Sequence, residues 1–214
     1  MTKVLLLADI HNQFGKLDSF LNLEPDLVFI AGDITQFGPV EPVLTLLSRI
    51  EVPCFAVHGN CDPREILDIL EESNAVCLHG NAMTVGKLTL TGLGGSNKTP
   101  FNTPSELSEN EIDRMLAHIT STMEKNVHNV LITHAPPQGA LDVAANGTHV
   151  GSPAIRKYIK HFDLVCTAHM HEQRGVTELE GTKVVNPGEA SKGDCALIYF
   201  GDEHKDIEIE LLSV

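Results

Sequence analysis

The stretch Lys3-Val4-Leu5-Leu6-Leu7-Ala8-Asp9-Ile10-His11 decides the fold. An apolar run of strand length ends abruptly in an aspartate and a histidine. Continuous apolarity, as opposed to alternation, predicts a strand buried on both faces, as in a parallel sheet covered by helices. The pattern recurs along the chain. Residues 27–31 are apolar and lead into Gly32-Asp33, 53–57 lead into His58-Gly59-Asn60, 127–133 end at His134, and 163–167 precede His169. Each time, a chemistry-bearing side chain falls at a strand tip, where one rim of a sheet can gather such residues.

Between the strands the apolar period changes to that of a helix. Residues 14–21 carry Phe14, Leu17, Phe20 and Leu21; residues 42–50 carry Val43, Leu44, Leu46, Leu47 and Ile50; residues 63–72 read as a third helix with Pro63 in its first turn. Three strand–helix units in succession predict a parallel sheet with right-handed crossovers. After residue 74 the rhythm shortens. Segments 75–78, 82–85 and 87–91, with Gly86 as a turn, read as β-hairpin material. Ser108 and Glu111 fit a capping box opening a helix that runs to about residue 125. A helix over 152–161 and strands over 183–185, 196–200 and 207–211 complete the expected elements. Two long loops remain, 92–104 and 135–150. Structureless loops longer than about 12 residues are usually functional, so these are expected to wall a substrate pocket.

Composition narrows the function. The chain has 214 residues, 42% of them hydrophobic, and a net charge of −14. Such a charge argues against stable nucleic-acid binding and repels anions at long range. A site that processes anions must therefore supply its own positive charge, which bound cations would do. No apolar run approaches the roughly 18 residues of a membrane span, and Met1-Thr2-Lys3 passes directly into a strand. The expectation is a cytoplasmic protein without a membrane partner; self-association is left open. The five cysteines are odd in number and lack zinc-ribbon spacing, so free thiols are expected, with Cys61 set apart inside a polar motif.

The strand-end residues have ligand chemistry. Asp9 and His11 are two apart and point the same way at a strand end. Asp33 has two oxygens and can bridge two cations. Asn60 offers a neutral amide oxygen, His134 an imidazole, and His169 and His171 a pair of rings presented to one side. Each has an ordinary reading as a helix cap, a turn residue or a surface histidine. Their joint placement at separate strand ends points to metal. Mixed oxygen and nitrogen donors without a cysteine cluster suit Mn, Fe, Ni or Zn, and two such ions about 3.5–4 Å apart form a clamp for displacement at phosphorus.

These blocks resemble the calcineurin-like metallophosphoesterase superfamily, whose pattern is Asp-x-His, Gly-Asp, Gly-Asn-x-Asp/Glu, a lone His, then Gly-His-x-His. Here they read Asp9-Ile10-His11, Gly32-Asp33, Gly59-Asn60-Cys61-Asp62, His134 and Ala168-His169-Met170-His171, in the same order. Thr133-His134-Ala135-Pro136-Pro137, His149-Val150-Gly151-Ser152 and Val185-Asn186-Pro187-Gly188 look like a compact microbial branch, similar to class III cyclic-nucleotide phosphodiesterases. The resemblance implies an α/β fold of class α+β: a four-layer α-β-β-α sandwich with two mixed sheets and a dimetal site at one end. It implies one domain over residues 1–214 with no cap domain. One ion would take Asp9, His11, Asp33 and His171; the other would take Asp33, Asn60, His134 and His169. Two divalent ions, Mn favoured, and a bridging hydroxide that attacks the phosphorus of a small phosphoester are implied with them.

Two departures qualify the resemblance. Cys61 stands where many relatives carry a leaving-group histidine, and Ala168 replaces a glycine. A thiol is a poor acid for an alkoxide, so His58 and His149 are the candidate substitutes. Asp62 either orients a neighbouring ligand or caps a helix beginning at Pro63, the cap being favoured. Asn12 and His149, with Asn60, are candidates to contact substrate. The leading expectation is phosphodiester hydrolysis. A noncatalytic scaffold on the same fold, similar to a retromer subunit, is disfavoured because every ligand position is filled. A phosphomonoesterase is disfavoured because only Arg64, Arg156 and Arg174 lie near a motif. A metal-dependent amidohydrolase is set aside because it would place His-x-His after the first strand.

Overall fold

Strand β1 (Thr2–Leu7) is a central strand of one six-stranded sheet in the computed structural model, which describes residues 1–214. Its neighbours β2 (Leu27–Ala31), β3 (Cys54–Val57) and β4 (Ala75–Cys77) follow in parallel. The second sheet has a parallel centre of β6 (Leu88–Leu93), β9 (His128–Thr133), β10 (Leu164–Cys166) and β12 (Thr182–Asn186). Antiparallel strands β5 (Ala82–Val85) and β11 (Gly175–Leu179) form its edges. Strands β13 (Asp194–Phe200) and β14 (Ile207–Ser213) return to the first sheet, antiparallel, beside β1.

The unbroken apolarity of β1 now has its cause. Alternate residues of a strand face opposite sides, and both sides are covered. Val4, Leu6 and Ala8 enter the core between the sheets with Phe29, Val57, Leu90, Val130 and Cys166. Leu5 and Leu7 face the opposite way with Val28 and Ile30, against Leu17 and Phe20 of helix α1 (Leu17–Leu21), Leu47 of α2 (Glu41–Ser48) and Ile66 and Leu70 of α3 (Ile66–Glu72). The outer face of the second sheet packs Leu131, Val165 and Val184 under Ile112 and Leu116 of α4 (Glu109–Thr122) and Ile155 of α5 (Pro153–Tyr158). The order is therefore helix, sheet, sheet, helix, with three cores. Each fully buried Leu, Ile or Val side chain contributes about 1.5–3 kcal/mol. The Ser108–Glu111 capping box opens α4. No helix is long and apolar enough to cross a membrane.

Four expectations are corrected. Residues 75–77 pair in parallel with β3, so only β5 and β6 form the hairpin. Helix α3 starts at Ile66, and Pro63 lies in the preceding turn. Strand β11 was not foreseen; it is an edge strand of mixed polarity, Gly-Val-Thr-Glu-Leu, held by its pairing with β12. The 92–104 segment holds the two-residue strand β7 (Ser96–Asn97), paired with β8 (Glu106–Leu107), which pins the loop at its base.

Candidate metal centre

Parallel strands end at a common rim, and the loops after β1, β2, β3, β9 and β10 meet there. Backbone bonds lace them together. His11 N–H donates to the Asp33 carbonyl at 3.0 Å, Asp9 N–H to the Gly32 carbonyl at 3.1 Å, and Ala168 N–H to the His134 carbonyl at 3.0 Å. The lacing is tight enough to hold side-chain-bearing residues in the left-handed region: Asp9 at φ +53°, His11 at +47°, Asp33 at +49° and His169 at +68°. Such conformations cost on the order of 1–3 kcal/mol each where context imposes them, and they cluster at functional sites. Gly59 is required for the approach: a Cβ there would stand 2.0 Å from Asp33 Oδ1.

The side chains form two adjoining sets around Asp33. In one, His171 Nε2 is 3.4 Å and His11 Nε2 3.8 Å from Asp9 Oδ1, and His11 Nε2 is 3.9 Å from Asp33 Oδ2. In the other, His134 Nε2 is 3.4 Å from Asp33 Oδ1 and 2.9 Å from Asn60 Oδ1. His169 stacks edge-on against His134, ring centroids 5.1 Å apart. Asp9, His11 and His171, and likewise Asp9, Asp33 and His134, place ligand atoms within 4.8 Å of one another.

Supporting groups fix which atoms face inward. His134 Nδ1–H donates to the Ala31 carbonyl at 2.9 Å, which leaves Nε2 as the inward lone pair. Asn60 Nδ2 donates to Thr103 Oγ1 at 3.0 Å, which turns the amide oxygen inward. Glu189 Oε2 lies 3.4 Å from His171 Nδ1, and Asn186 Nδ2 donates to the Met170 carbonyl at 2.9 Å between the last two histidines. His134 Nε2, Asn60 Oδ1 and Asp33 Oδ1 are then all acceptors facing one another, and both Asp9 oxygens are buried without a hydrogen-bond donor. Only cations or protons satisfy such a set. Without a cation the charge is balanced on the imidazoles. Burial works against both partners, yet the attraction between Asp33 and His134 prevails: Asp33 is held below the usual carboxylate range and His134 is pushed up to about 9. The donor set and its orphaned oxygens fit divalent metal ions.

The remaining expected residues fall in several places. Cys61 Sγ lies within 4.8 Å of ligand atoms of His11 and Asp33; burial and then Asp33 raise its thiol, which stays protonated. The helix-cap reading of Asp62 is corrected. Its buried carboxylate accepts from Ile34 N, Thr35 N, Thr35 Oγ1 and Gly59 N at 2.7–3.1 Å, so it ties the Asp33 loop to the Asn60 loop. His58 is corrected as a proton donor: burial, then His79 and His134, lower it to about 3, and its ring packs 4.6 Å from that of His79. Asn12 uses both polar atoms on the next loop, accepting from Gln36 N at 2.6 Å and donating to the Pro39 carbonyl at 3.2 Å. His149 is half exposed, with Nδ1 2.7 Å from the fully buried Asp142 Oδ1. Asp142 Oδ2 in turn accepts from Gly139 and Gly151 N–H. Ala168 is buried in the inter-sheet core, where its methyl is accommodated. Thr103, Asp142 and Glu189 were missed. The first two sit in loops that carry no readable period; Glu189 directly follows the Asn186-Pro187-Gly188 motif, a signal that could have found it.

Comparison with known proteins agrees with the geometry. The family profile described as calcineurin-like phosphoesterase matches residues 2–173. An uncharacterized protein of Methanocaldococcus jannaschii is 34% identical over 201 residues, spanning 88% of this chain and 89% of its own. Among solved structures, the protein TT1561 of Thermus thermophilus is similar at a TM-score of 0.73 and 16% identity, covering 98% of both chains. A dimetal phosphatase from Danio rerio is similar at a TM-score of 0.65 and 11% identity, covering 99% of this chain and 98% of that one. At such identities the structural likeness speaks to the fold alone.

Proposed function

The chain belongs to the calcineurin-like phosphoesterase family, and from that premise we propose that it hydrolyses phosphodiester bonds with two divalent cations. The observation that carries the reading is the placement of Asp33. One of its oxygens faces His134 at 3.4 Å and the other faces His11 at 3.9 Å, so a single carboxylate serves both sets. Asp9, His11, Asp33 and His171 would hold one cation; Asp33, Asn60, His134 and His169 would hold the other. Bound there, the ions would supply a water nucleophile ionised near neutral pH and positive charge for the phosphoryl oxygens, with manganese the favoured metal.

The chain's own residues do the rest. Asn60 is held rigid by Thr103, and His134 by the Ala31 carbonyl, so neither must reorganise when substrate binds. Asp62 fixes the spacing between the loops that carry Asp33 and Asn60. The leaving group's proton falls to His149, whose orientation Asp142 sets, because the Cys61 thiol is a weak donor to an alkoxide. Diesters are favoured over monoesters because two of the three arginines near the motifs are engaged elsewhere, and the third, Arg64, is exposed on the turn before α3. Arg174 donates to the Pro187 and Leu212 carbonyls, and Arg156 pairs with Glu180. A second anionic oxygen on substrate would meet little added positive charge in a chain of net charge −14.

The test combines metal content with turnover. Manganese-loaded protein is expected to hold two ions per chain and to hydrolyse bis(4-nitrophenyl) phosphate faster than 4-nitrophenyl phosphate. Asp33→Asn is expected to lower both metal occupancy and turnover, the latter by about a hundredfold or more, since even supporting residues cost 10–100-fold. Near-wild-type occupancy and rate in that variant would defeat the assignment.

A further inference from the structure

Three of the large apolar side chains that folding leaves in water, Phe37, Phe101 and Val150, belong to the loops bordering the metal centre. Phe37 is 57% exposed and Phe101 is 79% exposed. Phe37 is also held at φ +59°, a region where a bulky side chain is a genuine outlier. Its backbone is not free to relax. Phe37 N–H donates to the Cys61 carbonyl at 3.1 Å, and Asn12 grips the residues on either side, taking a bond from Gln36 N and giving one to the Pro39 carbonyl. An aromatic ring presented to solvent on a strained, cross-braced loop gives nothing back to the core. Phe101 is on the loop whose Thr103 holds Asn60, and the same loop reaches the third wall, where Asn97 Nδ2 donates to the Val150 carbonyl at 3.0 Å.

We propose that Phe37, assisted by Phe101, is a specificity-determining platform on which the planar base of a nucleoside phosphodiester stacks while its phosphate occupies the metal centre. The proposal rests on the phosphodiesterase reading above. The chemistry around the rings favours a base over other apolar groups. Within residues 34–40 and 96–105 the only charge is Lys98, the Glu106 carboxylate that follows is turned onto Thr99 and Thr103, and the other polar residues include the amides Gln36, Asn97 and Asn102. Uncharged donors and acceptors beside an aromatic face suit a base with a polar edge. A lipid chain would need contiguous apolar surface. A long nucleic-acid strand would need a basic track, whereas this chain carries a net charge of −14. The occupant is therefore of mononucleotide or dinucleotide size. Stacking on an aromatic side chain is strong enough to discriminate and tolerates any base.

Two readouts test this. First, manganese-loaded protein is assayed on thymidine 5′-(4-nitrophenyl phosphate) and on methyl 4-nitrophenyl phosphate, which share a leaving group and differ in the nucleoside. The ratio of kcat/KM is expected to favour the nucleoside in wild type, to fall about tenfold in Phe37→Ala, to survive in Phe37→Tyr, and to be untouched by Met83→Ala, an exposed apolar residue of the β5 edge. Second, the chain has no tryptophan and two tyrosines, so Phe37→Trp installs a lone indole that can be excited selectively, expected to be quenched by adenosine 5′-monophosphate and not by ribose 5-phosphate. Hydrolysis of both diesters with a ratio indifferent to Phe37, and no selective quench, would overturn the platform while leaving the phosphodiesterase intact. Selective quench in a protein inert toward every diester would uphold the platform and sink the enzymatic reading. Phe37→Ala that instead shifts the oligomeric state, or vesicle binding in place of the quench, would assign the ring to a protein or lipid contact and overturn the proposal.

Discussion

Replacing Asp9 by asparagine separates a metal ligand from a structural carboxylate by the sign of the stability change. Asp9 is fully buried, both its oxygens lack a donor, and the nearest imidazole nitrogens are His171 Nε2 at 3.4 Å and His11 Nε2 at 3.8 Å. Asparagine keeps the shape and tolerates the +53° φ as well as aspartate does. In chelator, Asp9→Asn removes a buried charge whose incomplete pairing costs about 1–3 kcal/mol; the two imidazoles offset part, so about 1 kcal/mol should be recovered. For a chain of this size that is a Tm higher by about 2–4 °C. With manganese at about a hundred times its Kd, wild type should gain about 2.7 kcal/mol per site, or about 5–11 °C. The variant should lose most of the gain from the site that Asp9 serves. Scanning calorimetry of both proteins, in EDTA and in manganese, gives the four values needed. A variant that melts below wild type in EDTA, by as much as it does in manganese, would refute the reasoning, because Asp9 would then be holding the fold together without a cation.

Three other perturbations discriminate among roles. Asp62→Ala leaves the buried N–H groups of Ile34, Thr35 and Gly59 unpaired; at about 1 kcal/mol or more each the loss is about 3 kcal/mol, whereas removing a mere helix cap costs about 1 kcal/mol, and denaturant titration tells them apart. Cys61→His should accelerate hydrolysis of diesters with alkyl leaving groups by about tenfold or more and change 4-nitrophenolate release little, because only the former needs a proton; an equal change for both would remove acid assistance as the meaning of that cysteine. His149→Ala should show the opposite pattern, slowing alkyl leaving groups by about a hundredfold, and Asp142→Asn should slow them less; uniform slowing across leaving groups would make the His149–Asp142 pair a loop brace.

What could be read in the sequence was whatever each segment carries by itself. The apolar runs 4–8, 27–31 and 130–132 announce two-sided burial because both faces of each strand are covered, by helices on one side and by the other sheet on the other. Their polar termini announce a rim because parallel strands of one sheet must end on the same side. The errors share a cause. Residues 75–77 looked like half a hairpin because a three-residue strand owes its place to β3 and not to its own pattern. Asp62 looked like a helix cap because a proline follows it, yet its bonds run to Ile34 and Thr35, 28 and 27 residues away. Glu189, Thr103 and Asp142 act by turning another side chain, and an orienting carboxylate or hydroxyl has no spacing rule to betray it. The strain follows the same division. Asp9, His11, Asp33 and His169 carry left-handed backbone that their own sequences do not request; the cross-loop bonds from Asp9 and His11 to Gly32 and Asp33, and the Asp62 brace, impose it. The identities of the candidate ligands are therefore local information, and their convergence is not. Covalent chain order supplies the residues, the sheets bring the loops to one rim, and hydrogen bonds between loops, made by the backbone of these same residues and by the Asp62 side chain, set the distances across it.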